Sequence, residues 1–141
     1  MDATPLAVSV TFCDAEQLHP PRGYRHAVAV TGGTTVYCAG QVSLDVTGEV
    51  VGPGDHAAQA HRALLNVVLA LAAAGAEAGD IIKLTYYVVG MNEAVVAAVN
   101  RGLGRACREA GVPAVPATMV GVESLSLPAL LIEADAIAVH N

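Results

Sequence analysis

Clustered basic residues are what this sequence most plainly lacks. Seven Lys and Arg stand against thirteen Asp and Glu in 141 residues, for a formal charge of -6, and the seven are scattered. A surface that binds nucleic acid needs its Lys and Arg grouped to neutralise successive phosphates, so nucleic acid is not expected as a partner. Cysteine is scarce too: Cys13, Cys38 and Cys107 show no CxxC spacing. The segment "MDATPLAVSV" carries one acid, Asp2, and no basic residue, so no secretory signal is expected there. The thiols are therefore expected to be reduced, small apolar side chains in a cytoplasmic protein. Long apolar runs are missing as well. The longest, Ala63 to Ala76, is broken by Asn66. It falls short of the ~20 residues that a spanning helix needs, so no membrane span is expected.

Several chemical signatures are also absent. The five histidines (His19, His26, His56, His61 and His140) form no metal-ligand pattern. His56 and His61, five apart, turn onto different helix faces, and HExxH does not occur. No metal site is expected. "TGGT" at residues 31–34 has neither the GxGxxG nor the GxxxxGK spacing of a phosphate loop. Without GxSxG, a serine hydrolase has no support. No internal repeat, charge run or low-complexity linker divides the chain, which reads as a single domain over residues 1–141.

What is present is apolar. Hydrophobic residues make up 54% and charged residues 14%, with a mean hydropathy of +0.51. That is oilier than an ordinary soluble monomer of this size, and a chain that hides surface against copies of itself fits it best.

The element order reads β-β-α-β-α-β-β, an α+β fold, with a short extra strand at Ala7 to Phe12. "LHPPRGY" (18–24) is a loop, because paired prolines hold neither ladder nor helix. "HAVAV" and "TVYCAGQV" flank "TGG", which predicts a hairpin. Asp55 opens a helix whose apolar positions Ala60, Leu64, Val67, Val68 and Leu71 follow the 3.6 period to Gly75. "DIIKLTYYVVG" is a strand apolar enough to be covered on both faces. Asn92 caps a second helix that runs through Val95, Val96, Val99, Leu103 and Cys107 to Gly111. "PATMVGVESLSLPALLIEADAIAV" (116–139) then reads as two strands joined by a Pro-containing turn, with the strand from Pro116 standing opposite Glu133.

Two helices cover only one face of such a sheet. Leu130, Ile132, Ala134, Ala136 and Ala138 form one face of the last strand, small enough to receive them. Leu131, Glu133, Asp135, Ile137 and Val139 form the other. Glu133 is thus expected to point away from the helices, into whatever covers the open face.

Separated stretches together resemble the Rid family (YjgF-type, RidA-like reactive intermediate deaminases). "GYRHAV" resembles its Gly-Pro-Tyr-Ser-Gln-Ala-Val strand, and "VYCAGQVSLDVTGEVV" its Ser-Gly-Gln followed by Asp-x-x-Thr-Gly-Glu. The stretch "QAHRALLNVV" through "VVAAVN" follows its Gln-to-Asn helix, Asp-Ile/Val-Val-Lys strand and Val-Asn helix. "VPATMVGVESLSLPALLIEADAIAV" is similar to its Pro-Ala-Arg-Ser strand, Leu-Pro turn and Ile-Glu-Ile-Glu-Ala-Ile-Ala ending. The likeness runs from about Gly23 to Val139.

This resemblance implies a chorismate-mutase-like fold, a mixed sheet with two helices on one face, assembled as a homotrimer with clefts between subunits. In deaminating members the cleft hydrolyses enamine or imine intermediates without metal or organic cofactor, so no cofactor is expected. Carried across by position, Tyr24, Gly40, Asn100 and Glu133 match the family's pocket. Ala39 stands where the family has serine, and a backbone role survives that change. Thr118 replaces the arginine that grips a substrate carboxylate, Val120 sits where cysteine is common, and Leu103 replaces an aromatic. Arginine offers two parallel charge-assisted bonds and threonine one neutral donor. The expected substrate is therefore not a simple 2-imino acid. Glu133, with no guanidinium beside it, is expected to move protons in hydrolysis, tautomerisation or cyclodehydration. Arg22 and Arg25 are candidates for a displaced cation. The alternative is an inert trimer that binds a small metabolite or acts as a chaperone. A ribonuclease activity, attached to relatives, is opposed by the chain's acidity.

Overall fold

The computed structural model describes residues 4–141. Its strands are β1 (Ser9–Cys13), β2 (Ala27–Thr31), β3 (Thr34–Val42), β4 (Ile81–Val89), β5 (Ala117–Val122) and β6 (Ile132–His140). Two long helices, α1 (His56–Ala73) and α2 (Glu93–Ala110), separate β3 from β4 and β4 from β5.

The helix ends lie where side-chain chemistry sets them. The Asp55 carboxylate accepts from the Ala58 N–H at 3.0 Å, and the Asn92 carbonyl accepts from the Val95 N–H at 2.9 Å. Both satisfy main-chain donors that the first turn leaves unpaired. Gly111 closes α2 in the left-handed region, at φ 77°, a conformation that glycine adopts without steric cost. Ala60, Ala63, Leu64, Val67 and Leu71 of α1 are fully buried, in one core with Ile132, Ala134, Ala136 and Ala138 of β6.

The larger sheet has the order β3-β6-β4-β5, and β1 pairs with β2 in a separate ribbon. Two expected pairings differ. The Gly32–Gly33 turn joins β2 to β3, with φ values of 72° and 77°, but those strands do not pair. The Gly33 N–H instead donates to the Leu6 carbonyl at 3.1 Å, and β1 occupies the edge of β2 from Ser9↔Thr31 to Cys13↔Ala27. Nor does β5 stand opposite Glu133. It runs parallel to β4, a pairing that needs the long crossover α2 supplies. β6 then enters between β3 and β4, antiparallel to both.

β4 was expected to be covered on both faces, and the chain covers only one. Ile81, Leu84, Tyr86 and Val88 are buried, while Lys83, Thr85, Tyr87 and Val89 on the other face are half-buried. The same alternation runs down β6, where Glu133, Asp135 and Ile137 are half-buried and Ile132, Ala134, Ala136 and Ala138 are buried.

One buried polar side chain fixes where β6 begins. Gln59 of α1 is fully buried. Its amide donates to the carbonyls of Gly52 (3.2 Å) and Ala129 (3.0 Å), and its carbonyl accepts from the Leu131 N–H (2.9 Å). A leucine here would leave all three main-chain groups without partners, at about 1–3 kcal/mol each, partly offset by an added apolar side chain. Gln59→Leu is expected to destabilise the fold by about 3 kcal/mol, read as a lower urea midpoint with an unchanged m-value.

Candidate functional site

The uncovered sheet face carries the polar chemistry. Glu133 pairs with Val42 of β3 and Tyr87 of β4, and one step along the strand Asp135 pairs with Thr85. On the far side of β4, Thr118 pairs with Thr85 and Val120 with Tyr87. Paired residues share a face, so Glu133, Asp135, Tyr87, Thr85, Thr118 and Val120 all lie on the open side. Tyr37, opposite Ile137, is 79% exposed there, and Val120 is 38% exposed.

Glu133 is shaped by its neighbours on β3. The pairing of β3 with β6 slips between Cys38 and Gln41, so Ala39 and Gly40 form a bulge beside Glu133. Bulges re-aim the chain locally, and here Gly40 faces the carboxyl group directly. A Cβ on Gly40 would lie 2.7 Å from the Glu133 Cδ and closer still to its Oε1. Glycine therefore leaves the Glu133 carboxyl the space it occupies. The Ala39 carbonyl accepts from the Gln41 side-chain amide at 3.1 Å.

Asp135 is engaged differently from Glu133. The Tyr87 hydroxyl donates to Asp135 Oδ2 at 3.0 Å. That bond, then the Asp135 charge, hold the Tyr87 phenol above its ordinary pKa, with burial and the Glu133 charge acting in the same direction. Tyr87 therefore stays a neutral donor.

Tyr24, Asn100 and Thr118 line a cavity of about 710 Å³ between α2, β5 and the loops at 22–24 and 112–115. Leu103 and Cys107 form its apolar wall. Burial pushes the Cys107 thiol up, so it is a neutral lining group and not a nucleophile. Gly40 lines a second hollow of about 560 Å³ with Asp45, Arg62 and Asn66. The sequence-derived residues thus fall into two groups within one chain. Glu133, Ala39, Gly40 and Val120 belong to the open face, Tyr24 and Asn100 to the cavity, and Thr118 on the edge strand borders both.

Arg25 is committed elsewhere: its guanidinium pairs with Asp14 at 2.8 Å and lies over the Phe12 ring, 5.3 Å from its centroid. Arg22 lines the larger cavity. The cation nearest Thr118 is one that sequence reasoning missed. Lys83 donates to Thr118 Oγ1 and to the Leu84 carbonyl, both at 3.0 Å. In the sequence it is the lysine of the Asp-Ile/Val-Val-Lys likeness, and the alternation 83, 85, 87 sets it on the face of Tyr87. The meeting with Thr118 needs the parallel β4–β5 pairing. No group of three or more His, Cys, Asp or Glu stands together to hold a metal among the described residues. No helix among them is long and apolar enough to cross a membrane.

Residues 15–140 match the family model described as Endoribonuclease L-PSP. A RutC family protein of Haemophilus influenzae is 40% identical over 115 residues, which span 80% of this chain and 85% of that protein. The solved structure of YyfB, a Rid family protein of unknown function from Yersinia pestis, superposes with a TM-score of 0.82 at 35% identity. It covers 92% of this chain and 98% of its own. An Escherichia coli 2-iminobutanoate/2-iminopropanoate deaminase is 42% identical over 62 residues, 43% of this chain and 47% of that protein. The chain belongs to the Endoribonuclease L-PSP family, to which the Rid and YjgF proteins belong, as the motifs from Gly23 to Val139 had implied.

Proposed function

We propose that the protein is a cofactor-independent enzyme acting on the C=N bond of an imine or enamine intermediate, with Glu133 as its acid/base. The observation that carries this reading is the half-buried Glu133 carboxyl, seated against Gly40 on a sheet face that the chain itself leaves uncovered. Tyr37 and Val120 on that face expose apolar surface of the kind a subunit contact removes from water. In this reading three copies of the chain meet through their open faces, and Glu133 works in a cleft between two of them. The likeness to a relative named as an imine deaminase supports the reaction class.

The chemistry asks little of the protein. Water adds to the carbon of the protonated imine as one of its protons passes to the Glu133 carboxylate, giving a neutral carbinolamine. The carboxylic acid then returns that proton to nitrogen; the C–N bond breaks as the hydroxyl oxygen forms C=O, the hydroxyl proton passes to the carboxylate and on to the departing ammonia, which leaves as ammonium, and Glu133 is ionised again. One carboxyl that alternates between its two states serves both halves. Tautomerisation and cyclodehydration need the same group, so the carboxyl fixes the proton transfer and the cleft walls fix the product.

The test is a panel of imines generated in situ, with ammonia and product followed for the wild type and for Glu133→Ala. Enhanced release by the wild type alone supports the enzyme. Equal rates would leave a trimer that only binds a metabolite or a client.

A further inference from the structure

We infer that the hollow beside the end of β3 is a socket for the β5–β6 segment of the next copy of the chain, with Glu123 of that copy answering Arg62. This rests on the reading in which three copies meet through their open faces.

Arg62 stands on α1 and lines the hollow of about 560 Å³ with Asp45, Asn66 and Leu69. Its Nε is buried and has no hydrogen-bond partner among the described residues, although buried donors are nearly always paired. No ion pair of the described residues includes it. Asp45, the acid in the same wall, is occupied: its Oδ1 accepts from the Thr47 N–H, the Thr47 hydroxyl and the Glu49 N–H. Asn66 is occupied too, donating to the carbonyls of Val42 at 2.8 Å and Leu44 at 2.9 Å. Beside the unanswered cation, Leu69 is 66% and Val46 100% exposed, and both line the hollow. The complement of such a surface is a carboxylate flanked by apolar side chains.

The stretch "VESLSL" (122–127) has that chemistry. Glu123 is exposed and in no ion pair among the described residues, and Leu127 after it is exposed as well. Within one chain the two surfaces do not meet. β3 and β5 are the outer strands of the sheet, three strand spacings or about 14 Å apart. Between copies they do. β6 is antiparallel to both β3 and β4, and β5 is parallel to β4, so β3 and β5 run in the same direction. Three sheets that turn their open faces to one threefold axis along the strands stand edge to edge. β5 of one copy then lies beside β3 of the next, and a head-to-tail contact of this kind closes into a ring. The register sets the level. Val42 is level with Glu133, Tyr87 and Val120, and three residues further on stand Asp45 after β3 and Glu123 after β5. The segment leaving β5 therefore emerges at the mouth of the neighbouring hollow. Gly40 lines that hollow and also faces the Glu133 carboxyl, so the socket is continuous with the proposed cleft.

The test is dissociation of the assembly, followed by sedimentation across a dilution series. Arg62→Glu and Glu123→Arg each set like charges in the contact. Each is expected to raise the concentration of half-dissociation at least about tenfold. Glu123 is exposed, so its reversal does not act through the fold of one chain. The double variant Arg62→Glu with Glu123→Arg rebuilds the pair with its signs exchanged, and is expected to return to within about threefold of wild type. Val46→Ser removes apolar surface that one chain leaves in water, and is expected to weaken assembly by a smaller factor with an unchanged circular dichroism spectrum. Single reversals that leave dissociation unmoved, or a double variant as weak as the single ones, overturn the socket alone if the wild type is a trimer. A wild type that sediments as one chain at every concentration overturns the threefold reading and the socket with it. Ammonia release does not enter this measurement, so Glu133 as acid/base stands or falls separately.

Discussion

Glu133→Gln is expected to lower ammonia release by about 10²–10⁴-fold, the range general acid–base catalysis supplies. Glutamine preserves the length and shape of the side chain and still fits beside Gly40, so fold and assembly should be unaffected. What it cannot do is take a proton from water and give it back. Asp135, on the same face, holds the Tyr87 hydroxyl through its Oδ2 at 3.0 Å and so serves to position that phenol. Asp135→Asn should therefore cost less than Glu133→Gln in kcat, since it loosens Tyr87 without removing the proton carrier. The reverse ranking, or two equal small effects, would reassign the acid/base.

The second large effect is expected at a residue with no side chain. Gly40→Ala should reduce turnover by about a hundredfold, because a displacement of about 1 Å in a reacting group is worth that much. The added methyl would overlap the Glu133 carboxyl, 2.7 Å from Cδ and nearer to Oε1. The flexible acid, not the backbone, would yield. Gly40 lies outside the left-handed region, so alanine adopts its backbone angles without strain, and thermal stability should change little. Lost activity with an unchanged melting temperature is the signature of a displaced catalytic group. A parallel loss of stability would instead mark Gly40 as a packing residue.

Local chemistry was legible in the sequence, and non-local pairing was not. The caps Asp55 and Asn92, the stop at Gly111 and the two faces of β6 follow from periods and side-chain donors within a few residues, and each is found where the pattern sets it. The β2–β3 hairpin was misread because two consecutive glycines signal a turn but not what pairs across it. Leu6 took the turn's free donor. β5 and β6 look like neighbours in sequence, yet α2 returns the chain parallel to β4 and leaves β6 to enter on the other side. The contacts that matter most on the open face depend on that arrangement. Lys83 meets Thr118 across 35 residues and Tyr87 meets Asp135 across 48. Arg22 and Arg25 drew attention as replacement cations because they flank Tyr24 in sequence, but Arg25 is held by Asp14. Alternation along the last strand singled out Glu133, and likeness to a family supplied Thr118; only the sheet register shows which side chains accompany them.

The mass of the assembly in solution, measured by sedimentation equilibrium at micromolar concentration, tests most directly whether the face bearing Glu133 and Tyr37 is completed by further copies of the chain. The account predicts three times the mass of one chain, with Tyr37→Glu reducing it to one and abolishing ammonia release. A wild-type protein that sediments as a single chain and still turns over would contradict it.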